Sequence, residues 1–159
     1  MKQTLSILVK NDPGVLIGVI DIFNAKKLNI DSLAVGITDN VKTSRITIVA
    51  DLPDADEIIS KLSEHPFVLK ARCLTEGSFI SRSHVFIKVK SDNKLRGQIV
   101  QIANIFRAKV VDVSSDTTTL EITGDEDKIN ALSGMLEDFG ILEIVRAGSV
   151  AIERGTLQL

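Results

Sequence analysis

Tryptophan and tyrosine are absent, and only six phenylalanines stand among 159 residues. Few aromatic faces are therefore available to stack on bases, nicotinamide or sugars, and the core has to be aliphatic. The single cysteine, Cys73, cannot close an internal disulfide and reads as a buried small hydrophobe rather than a nucleophile. The two histidines, His65 and His84, lie in different halves of the chain, so no Cys/His cluster has the spacing of a metal centre. There is no Gly-Lys-Ser/Thr phosphate loop and no G-x-G-x-x-G. Asp51, Asp54 and Asp56 flank Pro53 and read as a solvated turn rather than a cation site. No catalytic residue and no metal are expected. No apolar run reaches the roughly 18–20 residues of a membrane span, and no N-terminal stretch resembles a signal peptide. The expectation is a cytoplasmic chain with no membrane partner. A formal net charge of -2 supplies no positive field for phosphate backbones, so no nucleic acid is expected either. An RNA-binding module of the same topology would also need aromatic stacking residues on its strands.

The chain does have aliphatic periodicity, and the pattern occurs twice. Leu5, Ile7 and Val9 alternate with mostly polar neighbours as in a strand, and Val15, Leu16, Val19, Ile20 and Phe23 recur at helical spacing. Asp12-Pro13-Gly14 marks the helix start, with Pro in its first turn. Residues 30–37 and 45–50 read as strands about a Thr38-Asp39-Asn40 turn. A helix through Ile58, Ile59 and Leu62 stops before Pro66, and residues 67–74 close with a strand. The order β-α-β-β-α-β is the ferredoxin-like arrangement, an antiparallel sheet with both helices on one face. The order returns with a strand at Val85, Ile87 and Val89 and a helix through Leu95, Ile99, Ile102, Ala103 and Phe106. Strands at 109–113 and 118–123 turn at Asp116, a helix spans about 126–139, and a last strand runs 142–146. The expected fold is α+β, two such units in tandem: 1–76, a linker at 77–83 rich in Ser with one Gly, and 84–159. Each unit of roughly 75 residues is near the lower limit for a stable core, so docking of the units or dimerisation is expected to add stability. The open face and edge of each sheet are the expected docking surfaces.

Between the first strand and the first helix, polar and turn residues gather where backbone N–H groups lack helical partners. The N–H groups around Gly14, Val15 and Leu16 sit at the positive end of that helix, where an anion gains about 0.3–1 kcal/mol. Asn11 and Asn29 each offer a C=O acceptor and an NH2 donor without adding charge, which suits a zwitterion. Leu16, Ile30 and Leu33 offer an apolar wall worth about 1.5–3 kcal/mol to a branched aliphatic chain. A free amino acid bound this way would have micromolar to millimolar affinity. Locally, the same residues also fit a helix cap at Asn11 or Asp12, a turn at Asn29, and a plain strand with a solvated Arg at Ser44-Arg45.

The ordered set is more specific than any one motif. Asn11-Asp12-Pro13-Gly14-Val15-Leu16, Phe23, Asn29-Ile30-Asp31-Ser32-Leu33-Ala34-Val35-Gly36 and Ser44-Arg45-Ile46-Thr47-Ile48-Val49 together resemble the N-terminal ACT domain of the small regulatory subunit of acetolactate synthase (acetohydroxyacid synthase). Ile105-Phe106-Arg107-Ala108-Lys109-Val110-Val111-Asp112-Val113-Ser114, Glu121-Ile122-Thr123-Gly124-Asp125 and Arg146-Ala147-Gly148 resemble the family's C-terminal domain, so the resemblance covers nearly the whole chain. It implies a noncatalytic subunit that binds and activates the large catalytic subunit and confers feedback inhibition by a branched-chain amino acid, usually valine. It also implies a homodimer through the ACT domains, with the effector held between the Asn11–Leu16 loop, including Pro13, of one copy and the strand from Asn29 of the other. No cofactor is expected in this chain; thiamine diphosphate, Mg and FAD are expected on the catalytic subunit. A free-standing tandem ACT-type amino-acid sensor acting on another enzyme or a transcription factor would use the same pocket logic. The chain departs from the family where Gly18 replaces a common Arg and Lys26-Lys27 replaces an Arg-Gly pair. Gly within a helix costs roughly 1 kcal/mol relative to Ala, so Gly18 points to close packing by a neighbour.

Overall fold

Leu5, Ile7 and Val9 are at most 2% exposed because their side chains share one face of the opening strand, β1 (Lys2–Lys10), and that face carries two helices. The computed structural model describes residues 2–159. After β1 come α1 (Val15–Ala25), β2 (Ile30–Ile37), β3 (Thr43–Asp51), α2 (Ala55–Glu64) and β4 (Val68–Leu74). The antiparallel sheet has the order β2-β3-β1-β4. Leu5 lies opposite Ile48 and Cys73, and Ile7 opposite Ile46 and Ala71, so the apolar rows are continuous across strands. Val15, Val19 and Phe23 of α1 and Ile58 and Leu62 of α2 close this core. Asp54 caps α2 by accepting the Glu57 N–H at 3.1 Å.

The second unit repeats the plan with β5 (Phe79–Lys90), α3 (Arg96–Ile105), β6 (Lys109–Val113), β7 (Thr117–Gly124), α4 (Glu126–Leu136) and β8 (Ile141–Arg146). Its sheet order, β6-β7-β5-β8, corresponds strand for strand to the first. Its core is likewise aliphatic, built on Val85, Ile87, Val89, Leu120, Ile122 and the inner faces of both helices. The α+β tandem expected from periodicity is thus what forms.

Some boundaries differ from expectation. Pro13 stands outside α1, in a turn that ends at Gly14, whose φ of 86° is a left-handed conformation that suits glycine. The α4 helix gives way to a 3-10 turn at Glu137–Phe139 before Gly140. The stretch expected as a 77–83 linker is mostly strand, because β5 begins at Phe79 and polar Ser and Arg alternate along it without breaking extension. The two compact units divide at Ile80 and Ser81, and Gly148–Leu159 folds with the first unit rather than with the second, which ends at Ala147. That segment contains β9 (Val150–Glu153), and just after it Arg154 N–H donates to the Ser78 carbonyl at 2.8 Å.

The C-terminal segment bonds to both edge strands of the first sheet. Ser149 N–H donates to Ser32 Oγ of β2 at 2.7 Å. Arg72 of β4 pairs with Glu153 at 3.3 Å, and Lys70 Nζ donates to the Gln158 carbonyl at 3.0 Å. Ser32, Arg72 and Lys70 share the register rows of Val49, Ser6 and Leu8, which alternate with the helix-facing residues. The segment therefore crosses the sheet face away from the helices. Ser6 and Thr47 on that face are each 2% exposed, and the face expected to be open for docking in this unit is taken by the chain itself.

Candidate functional site

The loop between β1 and α1 is held by the β2–β3 turn. Asn11 N–H donates to the Lys42 carbonyl at 2.8 Å, and Asn11 Nδ2 donates to the Val41 carbonyl at 2.9 Å. Ser44 Oγ, on a residue 6% exposed, donates to Asn11 Oδ1 at 3.1 Å. Asn11 thus anchors the loop rather than capping the helix. One N–H and one lone pair of its amide remain for a ligand. Among the described residues no side chain caps α1, so the first-turn N–H groups after Gly14 have no side-chain acceptor. With Pro13 and Gly14 both exposed, this end of the helix presents its positive pole to solvent.

The predicted wall residues fall in two places. Leu16, Ile30 and Leu33 are all half-buried against the first core, leaving part of each side chain for a further contact. Val15 is 2% exposed and packs inward, so only its backbone can serve a ligand. Asn29 is exposed just before β2, its Nδ2 donating to Asp31 Oδ1 at 3.3 Å.

Within one chain the two halves of the predicted site do not meet. The Asn11 loop sits at the Thr43–Ser44 end of β3, whereas Ile30 pairs with Ala50 near the other end. Six residues of strand separate these ends by roughly 20 Å. Both halves are nonetheless tied to β2, an edge strand. Ile17, Val35, Ile37 and Val41 are exposed around its far end and the start of α1, at 65%, 48%, 64% and 72%.

The departures at Gly18 and Lys26-Lys27 have structural partners. A Cβ on Gly18 would lie 2.7 Å from His65 Nε2, so the imidazole occupies the space a longer residue would need. Lys26 pairs with Glu57 in the first turn of α2. Lys27 has a φ of 55°, the conformation that favours glycine after a helix. The His65 contact and the Asn11–Ser44 bond lie beyond periodicity, since each joins residues more than thirty apart in sequence; only the small size of Gly18 hinted at the first.

Among the described residues no group of three or more His, Cys, Asp or Glu could hold a metal, and no helix is long and apolar enough to cross a membrane. The Cys73 thiol donates to Gln3 Oε1 at 3.1 Å, and burial, reinforced by the Asp56 carboxylate, pushes its pKa up. A thiol held protonated is a poor nucleophile.

Comparison with known proteins matches both halves in order. Residues 5–70 match a family described as the AHAS small subunit-like ACT domain, and residues 82–155 a family described as the small subunit of acetolactate synthase. A probable acetolactate synthase small subunit from Archaeoglobus fulgidus is 41% identical over 157 residues, covering 98% of each chain. The acetolactate synthase small subunit of Mycolicibacterium smegmatis is 44% identical over 155 residues, 96% of this chain and 91% of the relative. The crystal structure of the small subunit from Thermotoga maritima superposes with a TM-score of 0.89 at 30% identity, covering 99% of both chains. With both units matched and the relatives aligned along nearly the whole length, the chain belongs to the acetolactate synthase small-subunit family, the noncatalytic regulatory subunits of that enzyme.

Proposed function

We propose that this chain binds and activates the thiamine-diphosphate-dependent catalytic subunit of acetolactate synthase and confers feedback inhibition by a branched-chain amino acid, valine first. Thiamine diphosphate, Mg and FAD belong to the catalytic subunit, and the holoenzyme works in the cytoplasm. The observation that carries the effector reading is the separation of the two half-sites along β2. Antiparallel pairing of this edge strand with its own copy sets the Ile30 end of one strand beside the Ile37 end of the other. The Asn29–Leu33 stretch of the copy then approaches the Asn11–Leu16 loop. The exposed Ile17, Val35, Ile37 and Val41 supply the apolar flank such a dimer needs.

In that dimer the effector carboxylate meets the uncapped N–H groups after Gly14. The copy's Asn29 amide takes up the remaining polar groups, and the branched side chain lies among Leu16, Ile30 and Leu33. An effector that touches both copies couples binding to dimer geometry. A coupling free energy of about 1–3 kcal/mol is enough to shift the holoenzyme toward a less active state.

The test is acetolactate formation by the catalytic subunit of the same genome, alone, with this chain, and with valine, leucine or isoleucine added. Stimulation reversed by one of the three is expected. Stimulation that none of them reverses would sink the effector reading, and no stimulation at all would sink the subunit reading in favour of a free-standing sensor.

A further inference from the structure

The second unit contains a pocket of about 430 Å³, lined by Lys90, Ser91, Asp92, Leu95, Asp116, Thr117 and Leu142. That volume lies within the roughly 300–1,000 Å³ usual for small-molecule sites. It stands at the corner of the repeat that the Asn11 loop occupies in the first unit. Lys10 N–H donates to the Phe67 carbonyl and Asn11 N–H to the Lys42 carbonyl; correspondingly, Lys90 N–H donates to Gly140 and Ser91 N–H to Asp116, at 3.0 and 2.8 Å. Ser91 therefore takes the place of Asn11. The longer Asn11 side chain reaches the neighbouring turn and Ser44. The shorter Ser91 is only 1% exposed, and its Oγ has no hydrogen-bond partner among the described residues. That oxygen is covered, so Ser91 leaves the corner without the long polar arm that Asn11 supplies in the first unit.

The charges around the pocket select among ligands. The N–H groups of Lys94 and Leu95, at the start of α3, are already taken by Asp92 Oδ1, each at 2.8 Å. The Arg96 guanidinium donates from its two terminal nitrogens to the carbonyls of Ser114 and Ser115, at 2.7 and 3.2 Å, and to Asn93 Oδ1, while its Nε is buried without a partner among the described residues. A lone anion would face the Asp92 and Asp116 carboxylates with its helix donors occupied. A lone cation would face the Lys90 ammonium. Neither Lys90 nor Asp116 is in an ion pair among the described residues, and Leu95 and Leu142 form the apolar side of the pocket. Separated charges of opposite sign beside an apolar wall are complementary to a zwitterion with a hydrocarbon tail.

We propose that this pocket binds an aliphatic α-amino acid, its carboxylate on Lys90 Nζ, its ammonium on Asp116, and its side chain against Leu95 and Leu142. The site is formed by the second unit alone and is independent of the effector site assigned to the first. The chain then carries two amino-acid sites at equivalent corners of its two units, one completed by a second copy and one complete in itself.

Titration of the 15N-labelled full chain with valine, leucine and isoleucine tests this. Saturable shifts of the Ser91, Asp92, Leu95 and Thr117 amides are expected with at least one of the three at millimolar concentration. Asp116→Asn and Lys90→Met, both at exposed positions, should each weaken those shifts roughly tenfold, the usual effect of losing a charged hydrogen bond. Shifts confined to Leu16, Asn29 and their neighbours would overturn this inference and leave the first-unit site standing. Shifts confined to the second unit would support it while removing the other. Second-unit shifts that survive both substitutions unchanged would overturn the assignment of Lys90 and Asp116.

Discussion

The Ser149 N–H donates to Ser32 Oγ at 2.7 Å, joining the C-terminal segment to the strand that carries Leu33. Just before it, Gly148 comes so close to β2 that a Cβ there would lie 2.0 Å from the Leu33 carbonyl oxygen and 2.9 Å from Ala34 N. Backbone atoms cannot swing aside as side-chain ends do. The glycine is therefore a packing requirement, and the strand it packs on is the one assigned to the effector.

Gly148→Ala is expected to cost about 1–3 kcal/mol, the range for forcing an extra carbon into a packed site. Urea unfolding should show it, and proteolysis should cut more readily after residue 147. Valine inhibition should weaken in the same variant while stimulation persists. Arg72→Met, at the other edge, breaks a partly exposed ion pair with Glu153 and should cost no more than about 1 kcal/mol without touching inhibition.

Lys27 and Arg107 adopt the same left-handed backbone conformation, at φ 55° and 54°, immediately after α1 and α3. Both helices end in a Schellman motif: Leu28 N–H donates to Phe23 and Lys27 N–H to Asn24, while Ala108 N–H donates to Ala103 and Arg107 N–H to Asn104. Glycine takes this conformation without a Cβ penalty, whose relief outweighs glycine's greater freedom in the unfolded chain. Lys27→Gly and Arg107→Gly should each stabilise the protein by about 0.5–1 kcal/mol, read as a higher urea midpoint at unchanged slope.

Much of this was legible before the structure. Leu5, Ile7, Val9 and their counterparts Val85, Ile87 and Val89 announce their strands because one face of each is dry, and period-two alternation is the direct trace of that. The loop from Asn11 to Leu16 and the strand from Asn29 were legible as a site only through chemistry and family resemblance. Their placement at opposite ends of β2 is a register property that no local pattern encodes. Residues 77–83 looked like a linker because polarity masked an extended strand. The return of residues 148–159 to the first unit was hidden for a related reason: its contacts are backbone bonds and single side-chain pairs, such as Ser149 with Ser32, which leave no periodic signal.

Asn29→Ala should raise the valine concentration needed for half-inhibition about tenfold, as expected for losing a hydrogen bond to a charged group. Stimulation of the catalytic subunit should be unaffected. Gly14→Asp acts on the other half-site by placing a carboxylate at the uncapped helix start, against the ligand's own, and strains a φ of 86° besides. Equal loss of stimulation and inhibition in Asn29→Ala would remove the case for a dedicated effector site.

Gly18 and His65 should behave as a coupled pair. Alanine in place of glycine within α1 gains about 1 kcal/mol from helix propensity alone. Here the added carbon meets His65 Nε2 at 2.7 Å, and the ring is also in contact with Phe67, with centroids 5.4 Å apart, which restricts its retreat. Gly18→Ala should therefore destabilise the native protein by about 1 kcal/mol, but stabilise a His65→Ala background by a similar amount. The double-mutant cycle measures the difference, and additive effects would show that the contact is energetically empty.

Cys73 should resist alkylation for a reason that also sets a pH dependence. Burial, and secondarily the Asp56 carboxylate, raise the thiol pKa in the folded state, while the unfolded chain keeps the ordinary value. Once pH exceeds that ordinary value, the unfolded state gives up a proton that the folded state retains. Folding stability then falls as pH rises through the window between the two values, and it is unaffected below it. Cys73→Ala should flatten that part of the stability curve. Iodoacetamide should modify the native thiol far more slowly than the thiol of the urea-unfolded chain, since the thiolate is the reactive form. Asp56→Asn removes only the lesser cause, so mass spectrometry should show a small gain in rate; a gain approaching the unfolded rate would mean that the charge outweighs burial.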